Sequence, residues 1–283
     1  MKAETVVKCA LCQSSHHQIL SSYPQPDPYE LAVGVGKEGY FRQWVQCQGC
    51  GLCYSVFSRD PDILDNIYKS AYRNENSPWR KGSTEEIFNK VINLPDDKSE
   101  TVDRINWIKK NLNDAWEQKL SQKGNVPHKL LDIGGGSAVF AYKFQDDQWV
   151  SYIVDANASG DFINTKLKIP FIQDYYRPNI FGVKFNLISM VFVLEHLRDP
   201  KAVLLDIKQD MTEDSYIYIE VPDMLAFKLK PYEDDIFNSC HLWMFSPNTL
   251  TILLDQCGYE IHAIQRMKTK RDHLAIMALA TKI

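Results

Sequence analysis

The sequence lacks any apolar run long enough to span a bilayer, which needs about 20 consecutive apolar residues. Its first residues, Met1 to Thr5, lack the apolar core of a secretory signal peptide. It also lacks a surplus of positive charge, since 32 Lys and Arg stand against 36 Asp and Glu and give a net charge of −4. We therefore expect a cytoplasmic protein with no membrane span and with no strongly basic surface for nucleic acid.

Internal repeats and low-complexity tracts are absent as well. Hydrophobic residues make up 45% of the 283 residues, which is typical of a globular chain with one large domain or two smaller ones. A polar stretch at 74–83 interrupts the apolar patterning. We predict a metal-binding domain at 1–75, a helical connector at 76–124 and a second domain at 125–283.

Four of the seven cysteines form two CxxC pairs, Cys9 with Cys12 and Cys47 with Cys50, separated by 34 residues. In a reducing compartment cysteines are expected as thiols or metal ligands, not as disulfides. Each pair can supply two thiolates to one tetrahedral Zn²⁺. The spacing predicts a small zinc ribbon whose metal is structural, because four thiolates close the coordination shell.

Other potential ligands are expected to stay outside this site. Cys53 follows the second pair closely, but a structural site closes with four ligands, so it is expected in a strand. His16 and His17 lie in a polar stretch and are expected to face solvent. Cys240 and Cys257 are expected to be ordinary buried or half-buried thiols.

A glycine-rich turn follows a predicted buried strand in the second half of the chain. The apolar run Lys129 to Ile133 leads directly into Gly134-Gly135-Gly136. Glycine permits close approach of a ligand to the main chain, and open α/β sheets bind ligands at the carboxyl ends of their strands. A dinucleotide site would need a small residue where Val139 stands, which argues against NAD or FAD.

A carboxylate ends the next apolar run. Val150 to Val154 reads as a second strand and is followed by Asp155, about 20 residues beyond the glycine turn. A carboxylate at this place can accept hydrogen bonds from the hydroxyls of a ribose. The alternative interpretation is a turn residue that caps the strand.

Strand and helix patterns alternate from Lys129 onward, which predicts a parallel sheet with right-handed crossovers. Strands are predicted near 130–134, 150–155, 169–173, 185–192 and 215–221, and helices near 137–145, 160–167, 200–210 and 247–257. Residues 259–264 and 274–280 read as a final hairpin that adds one antiparallel strand. Earlier helices are predicted from Asp60-Pro61 to about Ala71 and across Val102 to Trp116.

The motif Asp132-Ile133-Gly134-Gly135-Gly136 resembles motif I of class I S-adenosylmethionine (SAM)-dependent methyltransferases. Residues 185–200, 219–223 and 241–250 resemble later segments of the same enzymes. With its cysteine pairs the chain resembles bacterial methyltransferases that carry an N-terminal zinc-binding domain. Some of those act on nucleotide sugars or other small metabolites, and they include the sugar C-methyltransferases.

The resemblance implies an α/β fold, namely a Rossmann-like, seven-stranded class I methyltransferase sheet with a small N-terminal zinc-ribbon domain. It implies SAM and structural Zn²⁺ as cofactors and a small-molecule acceptor, for example a nucleotide sugar or a polysaccharide precursor. On the SAM side it implies that Asp132, Gly134 and Gly136 line the methionine and ribose end, that Asp155 holds the ribose, and that Asp174 meets the adenine amino group.

Two positions depart from the family pattern. Asn186 stands where the fourth strand usually carries an aspartate, at a position that is mainly structural. The sugar C-methyltransferases carry Tyr-x-Glu-His in their acceptor loop, whereas this chain has Asn238-Ser239-Cys240-His241, so that only the histidine matches. The sequence therefore favours transfer to oxygen or nitrogen over transfer to carbon.

A hydroxyl acceptor must lose a proton, and histidine is suited to accept it near neutral pH. The candidates are His241, in the matching acceptor loop, and His196, for which a purely structural role is the alternative. Glu195 is expected to orient a histidine or to bind the acceptor. Three aromatic residues, Tyr68, Tyr72 and Trp79, could cover the acceptor from the metal-binding domain, but aromatic residues at this spacing are more often core.

Two other functions fit parts of the pattern. One is an RNA methyltransferase whose zinc ribbon grips nucleic acid, which the acidic charge and the absence of a basic-aromatic cluster disfavour. The other is a non-catalytic SAM-binding protein. The intact Asp132, Gly134, Gly136 and Asp155 argue that cofactor binding is retained in either case.

Overall fold

The computed structural model describes residues 8–72, 77, 81–112 and 126–283. These residues form two sheets flanked by helices. The strands are β1 (His17–Tyr23), β2 (Arg42–Cys47), β3 (Cys53–Phe57), β4 (His128–Ile133), β5 (Trp149–Val154), β6 (Phe171–Ile172), β7 (Phe185–Val191), β8 (Met211–Pro222), β9 (Trp243–Met244), β10 (Tyr259–Lys268) and β11 (Leu274–Lys282).

The α-helices of the described residues are short. They are α1 (Pro28–Ala32), α2 (Ile63–Ser70), α3 (Thr84–Ile92), α4 (Glu100–Asn111), α5 (Val139–Phe144), α6 (Pro200–Ile207), α7 (Ala226–Leu229) and α8 (Pro247–Gln256). Single turns of 3₁₀-helix lie at Asp96–Lys98, Leu194–His196 and Asp235–Phe237. None of the helices in the described ranges has the length and hydropathy of a bilayer span.

The larger sheet has seven strands in the order β10-β11-β8-β7-β4-β5-β6. The pairs among β4 to β8 are parallel, and β11 runs antiparallel to both of its neighbours. This arrangement confirms the predicted Rossmann-like sheet and its final hairpin. The middle strands read as continuous apolar runs because helices cover both faces of a parallel sheet.

The strand order reverses between β4 and β7. The chain runs from β4 to β5 and β6 on one side, and then returns to β7 and β8 on the other. At such a switch point the loops after the two central strands diverge and leave a crevice for a ligand. The turn Gly134-Gly135-Gly136 follows β4, and residues 192–197 follow β7.

Capping residues set the beginnings of several helices. Asp199 caps α6, Ser246 caps α8, and each is followed by a proline in the first helical turn, as the sequence predicts. The predicted start of α2 at Asp60-Pro61 is wrong by two residues, because the Asp60 carboxylate accepts a hydrogen bond from the Asp62 amide and closes a turn instead.

Two other helix predictions need correction. The helix predicted at 160–167 is a π-helical turn that is shorter than expected and covers only Phe162–Lys166. The predicted helix across Val102 to Trp116 is α4, which begins at Glu100 and ends at Asn111. The last residues of that prediction, Ala115 and Trp116, lie outside the described residues.

The smaller sheet, called here the ribbon sheet, has the antiparallel order β1-β2-β3-β9. Its first three strands lie within residues 17–57, and the second cysteine pair lies where β2 turns into β3. The fourth strand, β9, comes from the C-terminal half and pairs Trp243 with Tyr54 and Met244 with Cys53. Trp44 and Phe237 pack in the same buried cluster as Met244. Residues 8–72, called here the zinc-binding part after their cysteine pairs, therefore take one strand of their sheet from the C-terminal half of the chain, which the sequence did not predict.

Candidate functional site

The four cysteines of the CxxC pairs converge at one end of the ribbon sheet. The Sγ atoms of Cys9 and Cys50 are 3.6 Å apart, those of Cys12 and Cys47 are 3.4 Å apart, and all four lie within 4.8 Å of one another. A disulfide needs about 2.05 Å, whereas tetrahedral Zn²⁺ with bonds of about 2.3 Å holds sulfur atoms roughly 3.8 Å apart. These four cysteines therefore could hold the predicted structural zinc.

The other candidate ligands lie outside this cluster, as predicted. Cys53 is buried as the first residue of β3. His16 and His17 are exposed. Cys240 and Cys257 are buried elsewhere in the chain.

The glycine turn after β4 has no room for side chains. Gly134 has a φ of +70°, and a Cβ atom added to it would lie 2.5 Å from Cγ2 of Val193. A Cβ atom added to Gly135 would lie 2.8 Å from Oδ2 of Asp132. Both positions therefore require glycine, and both lie half-buried at the switch point, where a ligand is expected.

Asp155 links the end of β5 to this turn. Its Oδ2 accepts a hydrogen bond from the Gly136 amide at 2.8 Å, and its Oδ1 accepts from the amides of Asn157 at 2.7 Å and Ala158 at 2.8 Å. The carboxylate thus caps its own turn, as the alternative interpretation held, and also fixes the glycine turn. Contact with a ribose remains a prediction for this side chain.

Asp132 lies behind the glycine turn and is 2% exposed. Its Oδ1 accepts a hydrogen bond from Ser189 Oγ at 2.7 Å. Burial, aided by the nearby charge of Asp155, raises the pKa of Asp132 to about 7, although Ser189 and Arg104 act in the opposite direction. The side chain therefore braces β4 against β7, and its predicted contact with the methionine end stays a prediction.

Asp174 follows β6 and is engaged within its own loop. Its carboxylate accepts hydrogen bonds from Arg177 at 2.5 Å and from the amide of Tyr175 at 2.8 Å. The hydrogen bond from Arg177 lowers the pKa of this carboxyl. The predicted contact of Asp174 with adenine stays a prediction.

Asn186 has the structural role that was predicted, since its Oδ1 accepts a hydrogen bond from the Lys129 amide at 2.9 Å.

Glu195, His196 and His241 form a buried group, called here the histidine cluster. One ligand atom from each lies within 4.8 Å of the others, and the two imidazole centroids are 4.7 Å apart. Glu195 and His196 belong to the 3₁₀ turn that follows β7, while His241 ends the acceptor loop, residues 235–241. The structure thus brings together all three residues that the sequence nominated for catalysis.

Backbone carbonyls orient both imidazoles. Nδ1 of His241 lies 2.7 Å from the carbonyl oxygen of Ile236, and Nδ1 of His196 lies 3.0 Å from that of Cys240. Since a carbonyl oxygen only accepts hydrogen bonds, Nδ1 of each ring is assigned the proton in the neutral form. Nε2 is then the basic nitrogen of each histidine.

Two tyrosines of the zinc-binding part complete the cluster. The Tyr72 hydroxyl lies 3.1 Å from Nε2 of His196, and the Tyr68 ring is 5.9 Å from the His196 ring, nearly at right angles. Tyr68 lies on α2, whereas Tyr72 lies two residues beyond its end. The sequence does not place them in the site, because aromatic residues at this spacing are more often core. Trp79, the third aromatic residue of that prediction, lies outside the described residues.

Comparison with known proteins identifies the family. A family model described as "Methyltransferase domain" matches residues 107–264, more than half of the chain. No curated protein matches the chain in sequence. Similar solved structures include a 1,6-didemethyltoxoflavin-N1-methyltransferase from Burkholderia thailandensis with bound 1,6-didemethyltoxoflavin and S-adenosylhomocysteine (SAH), at 15% identity and a TM-score of 0.45 over 60% of this chain and 77% of that one.

Two further structures have the same degree of similarity. A SAM-dependent methyltransferase from Clostridium acetobutylicum is 14% identical, with a TM-score of 0.45 over 70% of this chain and 96% of that one. A magnesium protoporphyrin IX methyltransferase from Synechocystis with bound SAM is 13% identical, with a TM-score of 0.45 over 69% and 84%. By the family match, the chain belongs to the methyltransferase-domain family, which confirms the predicted methyltransferase.

Proposed function

We propose that this methyltransferase transfers a methyl group from SAM to a hydroxyl or amine of a small molecule held at the histidine cluster. The proposal rests on the convergence of Glu195, His196 and His241, whose ligand atoms lie within 4.8 Å of one another. Glu195 and His196 follow β7, the strand beside the one that leads into the glycine turn. Val193, which packs on Gly134, is only two residues before Glu195. The proton acceptors therefore lie next to the proposed SAM crevice.

His241 is the proposed general base. Its Nδ1 is engaged by the carbonyl of Ile236, so Nε2 can accept the proton that an acceptor O–H or N–H loses as its bond to the methyl carbon forms. The Glu195 carboxyl group, 3.9 Å from Nε2 of His196, is proposed to orient that histidine or to bind the acceptor. Tyr72 supplies a hydroxyl from the zinc-binding part.

Bound SAM would supply the electrophilic methyl group and leave as SAH. The glycine turn suits its main-chain contacts, because Gly134 and Gly135 carry no side chains and lie half-buried at the switch point of the sheet. Asp155, placed after β5 and bound to the Gly136 amide, is the proposed ribose acceptor, and Asp174 after β6 is the proposed partner of the adenine amino group. Asp132 supports the turn from behind.

A nucleotide sugar or a polysaccharide precursor is the proposed acceptor class. The support is the family resemblance of the zinc ribbon combined with the methyltransferase sheet. The acceptor loop supports oxygen or nitrogen as the methylated atom. The Asn238 side chain is used within the loop, where its Oδ1 accepts from the Cys240 amide at 2.8 Å, and it replaces the tyrosine of the carbon-methylating pattern.

The experiment is a methyl-transfer screen with isotopically labelled SAM and a panel of nucleotide sugars, small alcohols and small amines. Products are separated by chromatography, and NMR identifies the methylated atom. Transfer to oxygen or nitrogen of a small molecule supports the proposal. Transfer to carbon would correct the atom, and transfer only to added RNA would replace the proposed function.

A further inference from the structure

The acceptor loop that carries His241 is held from outside by charged side chains of the zinc-binding part. Within the loop, secondary structure is limited to the single 3₁₀ turn at Asp235–Phe237. His241 depends on this turn directly, because its Nδ1 faces the carbonyl oxygen of Ile236. His196 depends on the loop as well, through the carbonyl of Cys240. Movement of the loop backbone would therefore reorient both imidazoles.

Arg59 makes the central contact. One of its terminal nitrogens, Nη2, donates to the carbonyl oxygen of Ser239 at 2.7 Å, and the other, Nη1, pairs with Glu30 Oε1 at 2.7 Å. The Arg59 and Glu30 side chains are 1% and 0% exposed. The second Glu30 oxygen accepts from the Tyr40 hydroxyl at 2.5 Å. The guanidinium is thus fixed in one orientation before it meets the loop.

Two further contacts hold the neighbouring backbone. Arg42, also buried, donates from Nη1 to the carbonyl oxygen of Phe237 at 2.6 Å, and its guanidinium lies over the Tyr23 ring. Asp27 accepts a hydrogen bond from the Ser239 amide at 2.5 Å. The loop is therefore bound at three backbone atoms by side chains from residues 27–59.

Attachment of the loop alone would not require buried charges. A buried ion pair loses its hydration, and an apolar pair of similar volume often stabilises a protein equally well. Charged hydrogen bonds differ from apolar packing in that they fix the direction of the carbonyl groups they bind. Here those carbonyls belong to the residues that precede His241, beside the two carbonyls that orient the imidazoles.

We infer that Arg59 and Arg42 are positioning residues, through which the zinc-binding part sets the orientation of His241 and His196. This inference rests on the proposed function for its effect on turnover, but its structural content does not. The hydrogen bonds of the two arginines involve neither the cysteine ligands nor the glycine turn. Zinc binding and SAM binding can therefore be measured separately from the orientation of the histidines.

The test compares wild-type protein with the double variant Arg59→Met/Glu30→Gln, which removes both buried charges together, and with Arg42→Met. Arg59→Lys is the conservative variant that keeps a charge, and Arg271→Met is the control. Arg271 also pairs with a carboxylate, that of Glu100 at 2.7 Å, but is 65% exposed and bridges α4 to the turn after β10. Zinc content and SAH affinity are measured for each.

The decisive readout is the long-range ¹⁵N–¹H NMR spectrum of labelled histidine, which reports the tautomer and orientation of each ring without any acceptor. We expect shifted or split signals of His241 and His196 in the double variant and in Arg42→Met, intermediate behaviour in Arg59→Lys, and wild-type spectra in Arg271→Met. Zinc content and SAH affinity are expected to stay at wild-type values throughout.

Where an acceptor has been found, kcat in the double variant is expected to fall at least ~10-fold, because small misplacements of a catalytic group are costly. Unchanged signals of both histidines in the double variant and in Arg42→Met would overturn the inference. If wild-type protein methylates nothing while the spectra change as expected, the proposed function fails and the positioning role stands.

Discussion

Val193 lies directly over Gly134, so that a Cβ atom on residue 134 would meet Cγ2 of Val193 at 2.5 Å. The two residues follow β4 and β7, the strands at which the order of the large sheet reverses. Their contact joins the proposed SAM crevice to the segment that carries Glu195 and His196. The glycine turn and the histidine cluster are therefore neighbours in the structure, as the proposed site requires.

Gly134→Ala is expected to destabilise the protein by about 2–5 kcal/mol. A left-handed backbone costs an L-residue roughly 1–2 kcal/mol, and overpacking typically adds about 1–3 kcal/mol. Urea denaturation measures the loss. In the double variant Gly134→Ala/Val193→Ala the steric part disappears, so we expect the double-mutant cycle to show a favourable coupling of at least ~1 kcal/mol. Strict additivity would contradict the contact.

Asp155→Asn is expected to weaken SAH binding about tenfold, equivalent to about 1.4 kcal/mol. The change removes the negative charge that holds the Gly136 amide and that is proposed to meet the ribose. Calorimetric titration measures the affinity, and Asp147→Asn, at an exposed carboxylate in the turn before β5, is the control. Equal affinity of both variants and wild type would remove Asp155 from the cofactor site.

His241→Ala is expected to lower turnover at least ~100-fold while SAH affinity stays within twofold of wild type. This is the low end of the effect of losing a general base. Steady-state methyl transfer with the acceptor identified by screening measures it. His262→Ala, at an exposed histidine on the edge strand β10, is the matched control. Wild-type turnover in His241→Ala would exclude the residue from catalysis.

Cys9→Ser and Cys50→Ser are each expected to lose zinc and to unfold the ribbon sheet, since metal supplies most of the folding free energy of such small modules. Because β9 pairs with β3, the acceptor loop is expected to become accessible to protease together with the N-terminal strands. Metal analysis and limited proteolysis measure both effects. Cys257→Ser, at a buried cysteine outside the cluster, keeps zinc. Zinc retained by both cluster variants would refute the site.

Asp132→Asn is expected to change how stability depends on pH. The pKa of Asp132 rises from 3.8 to about 7 on folding, so between these values the folded state holds a proton that the unfolded state has released. Wild-type stability therefore falls as pH rises from about 4 to about 7 through this group. The amide of the variant does not ionise, so its free energy of unfolding rises relative to that of wild type between about pH 4 and pH 7.

The measurement is urea denaturation at pH 4 and pH 8 in the absence of ligand. We expect the difference in unfolding free energy between Asp132→Asn and wild type to shift in favour of the variant by at least about 1 kcal/mol from pH 4 to pH 8. Asp147→Asn, whose carboxylate is exposed, is expected to follow wild type at both. A constant difference between Asp132→Asn and wild type would show that Asp132 is ionised in the folded protein.

Local patterns predicted the large sheet well. The strands around Leu131, Ile153 and Ile188 are apolar runs bounded by turn residues, and each of these three side chains is fully buried as the pattern requires. The pairing of β9 with β3 could not be predicted, because Trp243 and Met244 meet Tyr54 and Cys53 across nearly 200 residues and a two-residue strand has no periodicity of its own.

The site was predictable where residue type alone carries the chemistry. Two CxxC pairs specify a metal cluster whatever the intervening fold, and the histidines were found because they follow strands or match a family loop. Tyr72 could be named only as a possible cover of the acceptor, because an aromatic residue has the same sequence pattern whether it packs in a core or meets His196. Arg59 gave no signal either, since its partners, the Glu30 carboxylate and the Ser239 carbonyl, lie 29 and 180 residues away along the chain.

A native mass spectrum of the purified protein with added SAH measures zinc binding and cofactor binding in one experiment. We predict one zinc ion and one SAH molecule on each chain, with SAH reduced in Asp155→Asn and zinc absent in Cys9→Ser. A wild-type chain that binds neither zinc nor SAH at saturating concentrations would contradict the assignment of both parts of the molecule.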